Sequence, residues 1–161
     1  MSEDMKPRYG IADRQDIAGL SGREFLQAWI DGKIPAPPIG ETMSMRLVEV
    51  GDGFVVFEGE PGAHLLNPMG GIHGGWALTL IDSAGACAAN SVLPPQTICT
   101  TLETKGNFSR PITTKTGTVR AEGRVVSQTR QIISTEIRIT NLEGKILAHG
   151  TSTVMVLGRQ D

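Results

Sequence analysis

Apolar residues near the N-terminus recur at the spacing of a helix. The face that they form comprises Phe25, Leu26, Trp29 and Ile30. Ser21 and Glu24 have the spacing of a capping box, so a short helix is expected to begin at Ser21. Gly32 is expected to end this helix, and three prolines then predict an extended linker, namely Pro35, Pro37 and Pro38.

From Met43 the apolar positions alternate with polar ones, which is the two-residue period of a strand. A turn is predicted at Gly51–Gly53, and Phe54–Glu60 is predicted to be the hairpin partner of the first strand. After residue 96 the sequence again favours strands, because Thr, Val and Ile are frequent there. Four such strands are predicted, at Thr97–Arg110, Lys115–Ser127, Ile133–Ile139 and Lys145–Leu157.

One long helix is predicted between these two groups of strands, at Trp76–Ser91, and Pro94 and Pro95 follow it. Its residues are apolar nearly all round, so the helix should be buried. Runs of strands with one intervening helix favour the α+β class with an antiparallel sheet. Because a single helix covers only one face, the simplest arrangement is a sheet wrapped around a central helix.

Composition limits the kinds of partner. The 161 residues suffice for a single domain, expected at residues 21–158 after a polar arm at residues 1–20. The net charge of −2 argues against nucleic-acid binding. No apolar run approaches the roughly 18 residues that span a bilayer, and Met1–Gly10 lacks the apolar core of a signal peptide. No membrane partner and a cytoplasmic location are therefore expected.

The cysteines Cys87 and Cys99 do not form a Cys-x-x-Cys pattern, and no Cys and His residues have the spacing of zinc ligands. We therefore expect two buried thiols and no bound metal.

The candidate chemistry lies in a glycine-rich segment that leads into the long helix, from Asn67 through His73, Gly74 and Gly75 to Asp82. Backbone amides at a helix start attract negative charge, and a lone acid on an apolar helix needs a partner. Each feature also has a plain structural explanation: glycines relieve steric conflict, a loop histidine forms hydrogen bonds, and an acid pairs with a base. Together they suggest acyl transfer or hydrolysis with an oxyanion hole.

Distance along the helix limits how such a site could be built. Gly74 and Asp82 lie roughly 12 Å apart at 1.5 Å per residue, which is too far for both to touch one carbonyl group. If two copies pack with their helices antiparallel, the helix start of one copy approaches Asp82 of the other. The sequence therefore predicts a site shared across a symmetric dimer.

The segment from Asn67 to Asp82, together with Thr101–Pro111, resembles the hotdog-fold acyl-CoA thioesterases of the phenylacetate-pathway (PaaI-like) family. The resemblance extends from about Ser21 to Leu157. It implies an antiparallel sheet wrapped around a central helix at Gly75–Asn90, and sheets joined edge to edge in a homodimer that pairs into a tetramer. It also implies an acyl-CoA substrate and no separate cofactor, since CoA is part of that substrate.

The resemblance also implies roles for five residues. The backbone amide of Gly74 would polarise the thioester carbonyl, and His73 would position this loop or the thioester. Asn67 would orient the attacking water or the carbonyl group. Asp82, from the opposite protomer, would be the catalytic carboxylate, acting on water or attacking directly. Thr101, or Thr100 after a slip of one residue, would hold the water or the carboxylate.

Five further residues are predicted to contact substrate, namely Gly75, Trp76, Gly106, Phe108 and Arg110. Trp76 either packs against the neighbouring protomer or shapes the acyl pocket. Gly106 lies inside a strand, which suggests a bulge or a close approach of the pantetheine arm. The cations considered for the CoA phosphates are Arg110, Lys115, Arg124 and Arg130.

Two other functions remain open from the sequence. A hotdog hydratase or dehydratase would use a His and an acid in a different motif, which the sequence lacks. A non-catalytic acyl-CoA binder of the sensor type usually carries a DNA-binding segment, and the first 40 residues are too short and too mixed in charge for one. The acyl group is expected to be aryl or medium-chain, because small residues follow Asp82 along the helix: Ala84, Gly85, Ala88 and Ala89.

Overall fold

The structure is a computed structural model that describes residues 7–159. The helices are α1 (Arg14–Ile17), α2 (Gly22–Ile30), α3 (Pro38–Thr42) and α4 (Gly74–Asn90). The strands are β1 (Met45–Gly51), β2 (Phe54–Gly59), β3 (Thr97–Phe108), β4 (Val119–Gln128), β5 (Ile132–Asn141) and β6 (Ile146–Arg159). The α+β class and the order of the long helix among the strands are therefore confirmed.

All six strands form one antiparallel sheet in the order β1-β2-β4-β5-β6-β3. Helix α4 packs against the inner face of this sheet and contacts every strand from β2 to β6. Its most buried residues include Leu80, Ile81, Ala84 and Ala88, none of which is exposed. The sheet thus wraps around one central helix, which is the predicted hotdog arrangement.

The N-terminal region contains more structure than the sequence indicated. Helix α2 begins with the predicted capping box, in which Ser21 and Glu24 exchange hydrogen bonds. The proline-rich linker was predicted to be extended throughout, but α3 begins within it at Pro38. Proline is tolerated at the first helical position, because its missing N–H has no partner there anyway. Residues 1–6 of the predicted arm lie outside the described residues, and the arm contains α1.

Trp76 is part of the core of its own protomer. Only 2% of its surface is exposed, and its indole N–H donates to the carbonyl oxygen of Met43 at 2.7 Å. The indole fills the space above Gly59, where a Cβ would lie 2.8 Å from the Trp76 ring. Contact with a neighbouring protomer and shaping of the acyl pocket stay predictions for this residue.

Gly123 sets the distance between the sheet and the central helix. A Cβ at Gly123 would lie 2.4 Å from the backbone oxygen of Ala84, which cannot move away without bending α4. We expect Gly123→Ala to lower the free energy of unfolding by about 1–3 kcal/mol, measured by urea denaturation. Gly19→Ala is the control, since a Cβ there has no atom within 4 Å. Equal losses in the two variants would contradict this role of Gly123.

Candidate functional site

The first turn of α4 is held by a histidine cap. His73 is the N-cap residue, and its Nδ1 accepts a hydrogen bond from the Gly75 N–H at 2.8 Å. Accepting this bond requires the imidazole to be neutral, with its proton on Nε2. A Cβ at Gly75 would lie 2.9 Å from the same Nδ1, so glycine is what allows the ring to sit there. His73 therefore positions this loop, one of the two roles predicted for it.

The Gly74 N–H is the open donor at this helix start. Its neighbours are satisfied, because Gly75 donates to the histidine and Trp76 donates to the His73 carbonyl oxygen at 3.0 Å. Within residues 7–159 the Gly74 N–H has no acceptor. A donor at the positive end of a seventeen-residue helix suits an oxygen that gains negative charge.

Asn67 shapes the loop that leads to this helix start. Its Oδ1 accepts from the backbone N–H of Met69 at 2.9 Å and from that of Gly71 at 3.2 Å. These two donors fix which side-chain atom is the oxygen, so the Nδ2 group points away from them. Nδ2 has no acceptor among the described residues, and it remains available to a substrate carbonyl or a water molecule.

Asp82 lies on the half-buried face of α4 and is oriented from the sheet. Thr104 Oγ1 donates to Asp82 Oδ1 at 2.7 Å, and Thr104 Oγ1 lies 3.0 Å from Ser152 Oγ. Ser152 Oγ in turn lies 3.1 Å from the carbonyl oxygen of Glu103. Oδ2 has no hydrogen-bond partner among the described residues. One carboxylate oxygen is therefore fixed while the other is free for chemistry.

The role predicted for Thr101, or for Thr100, in holding the water or the carboxylate stays a prediction. Within this protomer the hydroxyl that contacts Asp82 belongs to Thr104, which the sequence did not indicate. The reason is a β-bulge between Thr101 and Glu103, where β3 carries one residue more than β6. The bulge shifts the alternation of the strand, so that both Thr101 and Thr104 lie on its half-buried side. The sequence did contain a signal, because threonines recur along this strand, but it did not locate the bulge.

Gly106 has a packing role in this structure. It pairs with Gly150 on β6, and a Cβ at Gly106 would lie 3.1 Å from Ile81 Cδ1 and 3.2 Å from Leu78 Cδ1. The absence of a side chain thus lets α4 approach the sheet. Gly106 itself is regularly paired, and a bulge lies earlier in the strand, at Thr101–Glu103. Contact between Gly106 and the pantetheine arm stays a prediction.

The aromatic ring of Phe108 lies against the start of α4, and two cations follow this residue in the chain. A Cβ at Gly74 would lie 3.3 Å from Cζ of Phe108, whose side chain is 57% exposed. Arg110 follows in the chain and donates to the carbonyl oxygen of Ile146 at 2.5 Å. Lys115 lies in the same loop and forms no ion pair within residues 7–159. Contact of Phe108 and Arg110 with substrate stays a prediction.

Arg124 and Arg130, the other two cations considered for the CoA phosphates, differ in whether they already have an ionic partner. Arg124 pairs with Glu122 at 2.6 Å and lies 4.3 Å from the centre of the Phe54 ring, so it is already held within its own protomer. Arg130 lies in the turn between β4 and β5 and has no ion pair among the described residues. Neither residue is brought to the start of α4 by contacts within this protomer.

The two cysteines do not provide a nucleophile. Burial raises the pKa of the Cys87 thiol to about 12, and the nearby Cys99 and Asp82 add to that rise. Burial also raises the pKa of Cys99. A thiolate is the reactive form, so both groups are inert near neutral pH. No group of three or more His, Cys, Asp or Glu within residues 7–159 could hold a metal ion.

Strand β3 is an edge of the sheet, and several of its apolar side chains are exposed. The exposed fractions are 37% for Ile98, 55% for Leu102 and 57% for Phe108. The half-buried face of α4 lies against the same strand. Open edges with apolar side chains pair readily with another chain, so this edge suits a second copy.

Replacement of Thr104 tests its orienting role. We expect Thr104→Val to lower kcat for thioester hydrolysis about 10-fold, because the carboxylate loses its fixed orientation, with a smaller change in KM. Thr151→Val is the control, because Thr151 is an exposed threonine on the neighbouring strand β6, and it should leave kcat unchanged. Steady-state kinetics on both variants measures this. Equal effects would mean that Thr104 has no special relation to Asp82.

Comparison with known proteins gives a consistent result. Residues 69–148 match the family model described as thioesterase superfamily. The chain is 30% identical to the TT0310 protein of Thermus thermophilus, with a TM-score of 0.67, covering 74% of this chain and 97% of that one. No curated protein sequence matches the chain.

Two proteins from the degradation of phenylacetic acid are also similar. A point mutant of PaaI from Thermus thermophilus is 29% identical with a TM-score of 0.66, covering 73% of this chain and 97% of that one. PaaI from E. coli is 24% identical with a TM-score of 0.74, covering 88% of this chain and 98% of that one.

Among the described residues, no helix is both long and apolar enough to cross a membrane.

Proposed function

The chain belongs to the hotdog-fold thioesterase superfamily, and from that premise we propose that it hydrolyses acyl-CoA thioesters to a free acid and CoA. The observation that carries this proposal is the state of Asp82. Its Oδ1 is fixed by Thr104 at 2.7 Å, whereas its Oδ2 is unpartnered among the described residues. A carboxylate held by one oxygen presents the other in a defined direction.

The proposed reaction begins with a water molecule beside Asp82 Oδ2. The carboxylate accepts a proton from this water as the water oxygen attacks the thioester carbonyl carbon. Negative charge develops on the carbonyl oxygen, and the Gly74 N–H of a second copy donates to that oxygen. Collapse of the tetrahedral intermediate breaks the carbon–sulfur bond. The CoA thiolate then takes the proton that Asp82 holds, which restores the carboxylate, and the free acid remains.

Direct attack by Asp82 is the alternative route. Oδ2 would then form a mixed anhydride with the acyl group, and water would hydrolyse the anhydride in a second step. A single turnover in heavy-oxygen water tests this route. Label found in the Asp82 side chain indicates the anhydride, and label confined to the acid product supports attack by water.

The site is proposed to require two copies of the chain. Eight residues of α4 separate Gly74 from Asp82, a rise of roughly 12 Å, so one copy supplies only half of each site. The open β3 edge and its exposed apolar side chains support pairing of two sheets there. We propose a homodimer, paired into a tetramer, with acyl-CoA as its ligand and the cytoplasm as its location.

Thiol release from a panel of acyl-CoA substrates tests the proposed function. Purified protein is assayed with phenylacetyl, hydroxybenzoyl and straight-chain acyl thioesters of CoA, and the released thiol is measured. The Asp82→Asn variant, prepared in the same way, controls for contaminating thioesterases. Absence of release from every substrate would reject the proposal.

A further inference from the structure

A cavity of about 410 Å³ lies at the far end of α4 from Gly74. It is half open to the surface and is bordered by α1, α2, the last residue of α4 and the beginning of β3. Its polar lining comprises Arg14, Asn90, Gln96 and Thr97. Its apolar lining comprises Ile17, Ala18, Leu20, Phe25, Pro94 and Ile98. An apolar cavity of about 150 Å³ can hold a benzene molecule, so this one has room for the end of a long hydrocarbon chain.

The walls of this cavity are fixed by specific contacts. The Gly22 N–H at the start of α2 donates to the carbonyl oxygen of Leu93 at 3.0 Å. A Cβ at Gly22 would lie 1.7 Å from the backbone oxygen of Asn90, so α2 sits directly on the end of α4. The Ser21–Glu24 capping box holds the first turn of α2. These contacts hold α2 against the end of α4.

The half-buried face of α4 runs from Asp82 to Asn90, which borders the cavity. Between Asp82 and Asn90 this face carries only small side chains, namely Ser83, Ala86 and Cys87. The strand beside it contributes Cys99 and, at the cavity, Thr97. Cys87 lies close enough to both Asp82 and Cys99 for each to affect its thiol. On this helix face, no side chain between Asp82 and Asn90 is larger than that of cysteine.

The length of this path selects among acyl groups. Asn90 lies eight residues beyond Asp82, a rise of roughly 12 Å along the helix. An extended chain needs roughly eight to ten carbon–carbon bonds, each about 1.5 Å long, to cover that distance. An aryl group attached directly to the thioester carbonyl ends well before the cavity.

We propose that this cavity binds the distal end of a straight medium-chain acyl group, of roughly ten carbons or more. The inference rests on the proposed thioesterase function and names the substrate class of the same site. Each methylene that enters the cavity leaves water and should raise kcat/KM about 3- to 4-fold. The value of kcat/KM should therefore rise steeply with acyl length once the acyl chain is long enough to reach α1 and α2.

The test is a chain-length profile of kcat/KM from butyryl-CoA to dodecanoyl-CoA. Ala18→Trp and Thr97→Phe each place a large ring at the cavity. The matched control is Ala36→Trp, because Ala36 lines a second cavity of the same volume, bounded by β1 at the opposite edge of the sheet. Both cavity variants should lower the ratio of dodecanoyl to butyryl kcat/KM at least about 10-fold, with butyryl hydrolysis unchanged.

The possible outcomes separate the two proposals. An unchanged ratio in Ala18→Trp and Thr97→Phe, with thiol release intact, would overturn the cavity proposal and leave the thioesterase proposal standing. A uniform loss at all chain lengths, or the same shift in Ala36→Trp, would also overturn it. No thiol release by the wild-type protein from any substrate would reject the thioesterase proposal itself.

Discussion

Asp82→Asn is expected to lower kcat for acyl-CoA hydrolysis by about 10³-fold. Asparagine has the shape of aspartate, and its side-chain oxygen can still accept the hydrogen bond from Thr104, now made at 2.7 Å. The substitution therefore alters mainly the second oxygen, which becomes an NH₂ group. That group can neither accept a proton from water nor attack a carbonyl carbon. Thiol release under saturating substrate measures the loss.

Two measurements show whether the loss is chemical. The dissociation constant for CoA, determined by calorimetry, should be unchanged in Asp82→Asn, because the carboxylate is proposed to act on the reacting carbonyl and not on the nucleotide. The melting temperature should also stay within a few degrees of the wild type. A variant that kept full turnover would refute a catalytic Asp82, and protein that bound CoA thioesters without hydrolysing any would be a binding protein.

The fold could be predicted because apolar residues recur with a different spacing in its strands than in its helices. The alternation of Ile133, Thr135 and Ile137 is retained in the structure, where all three side chains are buried under α4. The all-round apolar composition of the long helix predicted its central position. These signals are local and repeated, so an error at one residue does not change the outcome. The boundaries depended on single residues, and β1 begins at Met45 instead of Met43.

The candidate site was only partly predictable for the same reason. The start of α4 could be located because the cap, the glycines and the acid lie within one short segment. Thr104 could not be identified, since its contact with Asp82 depends on one extra residue at the β3 bulge. The packing of Trp76 could not be predicted, because its indole N–H reaches Met43, far away in the chain. Long-range contacts of this kind leave no period in the sequence.

The helix cap also explains how the loop and the chemistry are linked. Asn67 and His73 each use one side-chain atom to satisfy the backbone of the glycine-rich segment, and this leaves the Gly74 N–H without an acceptor among the described residues. A helix start normally has several such open donors, which water or side chains satisfy. Here the neighbouring donor is capped, so a ligand oxygen meets one defined N–H group. Because one N–H group is expected to meet the ligand oxygen, a substitution that removes the Gly74 N–H tests its role directly.

Gly74→Pro removes that single donor and should lower kcat about 10²- to 10³-fold. Gly74 is the first residue of α4, a position where proline is well accommodated. The preceding His73 has φ −61° and ψ 131°, which is the extended conformation that a residue before proline requires. The helix should therefore persist while the N–H is lost. Thiol release and far-ultraviolet circular dichroism measure the two effects.

Gly74→Ala is the matched control, because it adds a side chain and keeps the N–H. Its Cβ would lie 3.3 Å from Cζ of the exposed Phe108 ring, which can move by the few tenths of an ångström needed. Activity near that of the wild type in Gly74→Ala, with loss in Gly74→Pro, assigns the effect to the donor. Similar losses in both variants would assign it to the shape of the helix start.

Mixing the two inactive variants tests the shared site. If Gly74 and Asp82 of different copies form each site, a dimer of Gly74→Pro with Asp82→Asn has one site with both changes and one with neither. Random exchange of subunits makes half of the dimers mixed, so about a quarter of wild-type activity should return. A site built within one copy would carry one change in every subunit and regain nothing. Recovered activity would therefore show that the chain is catalytic only as a pair.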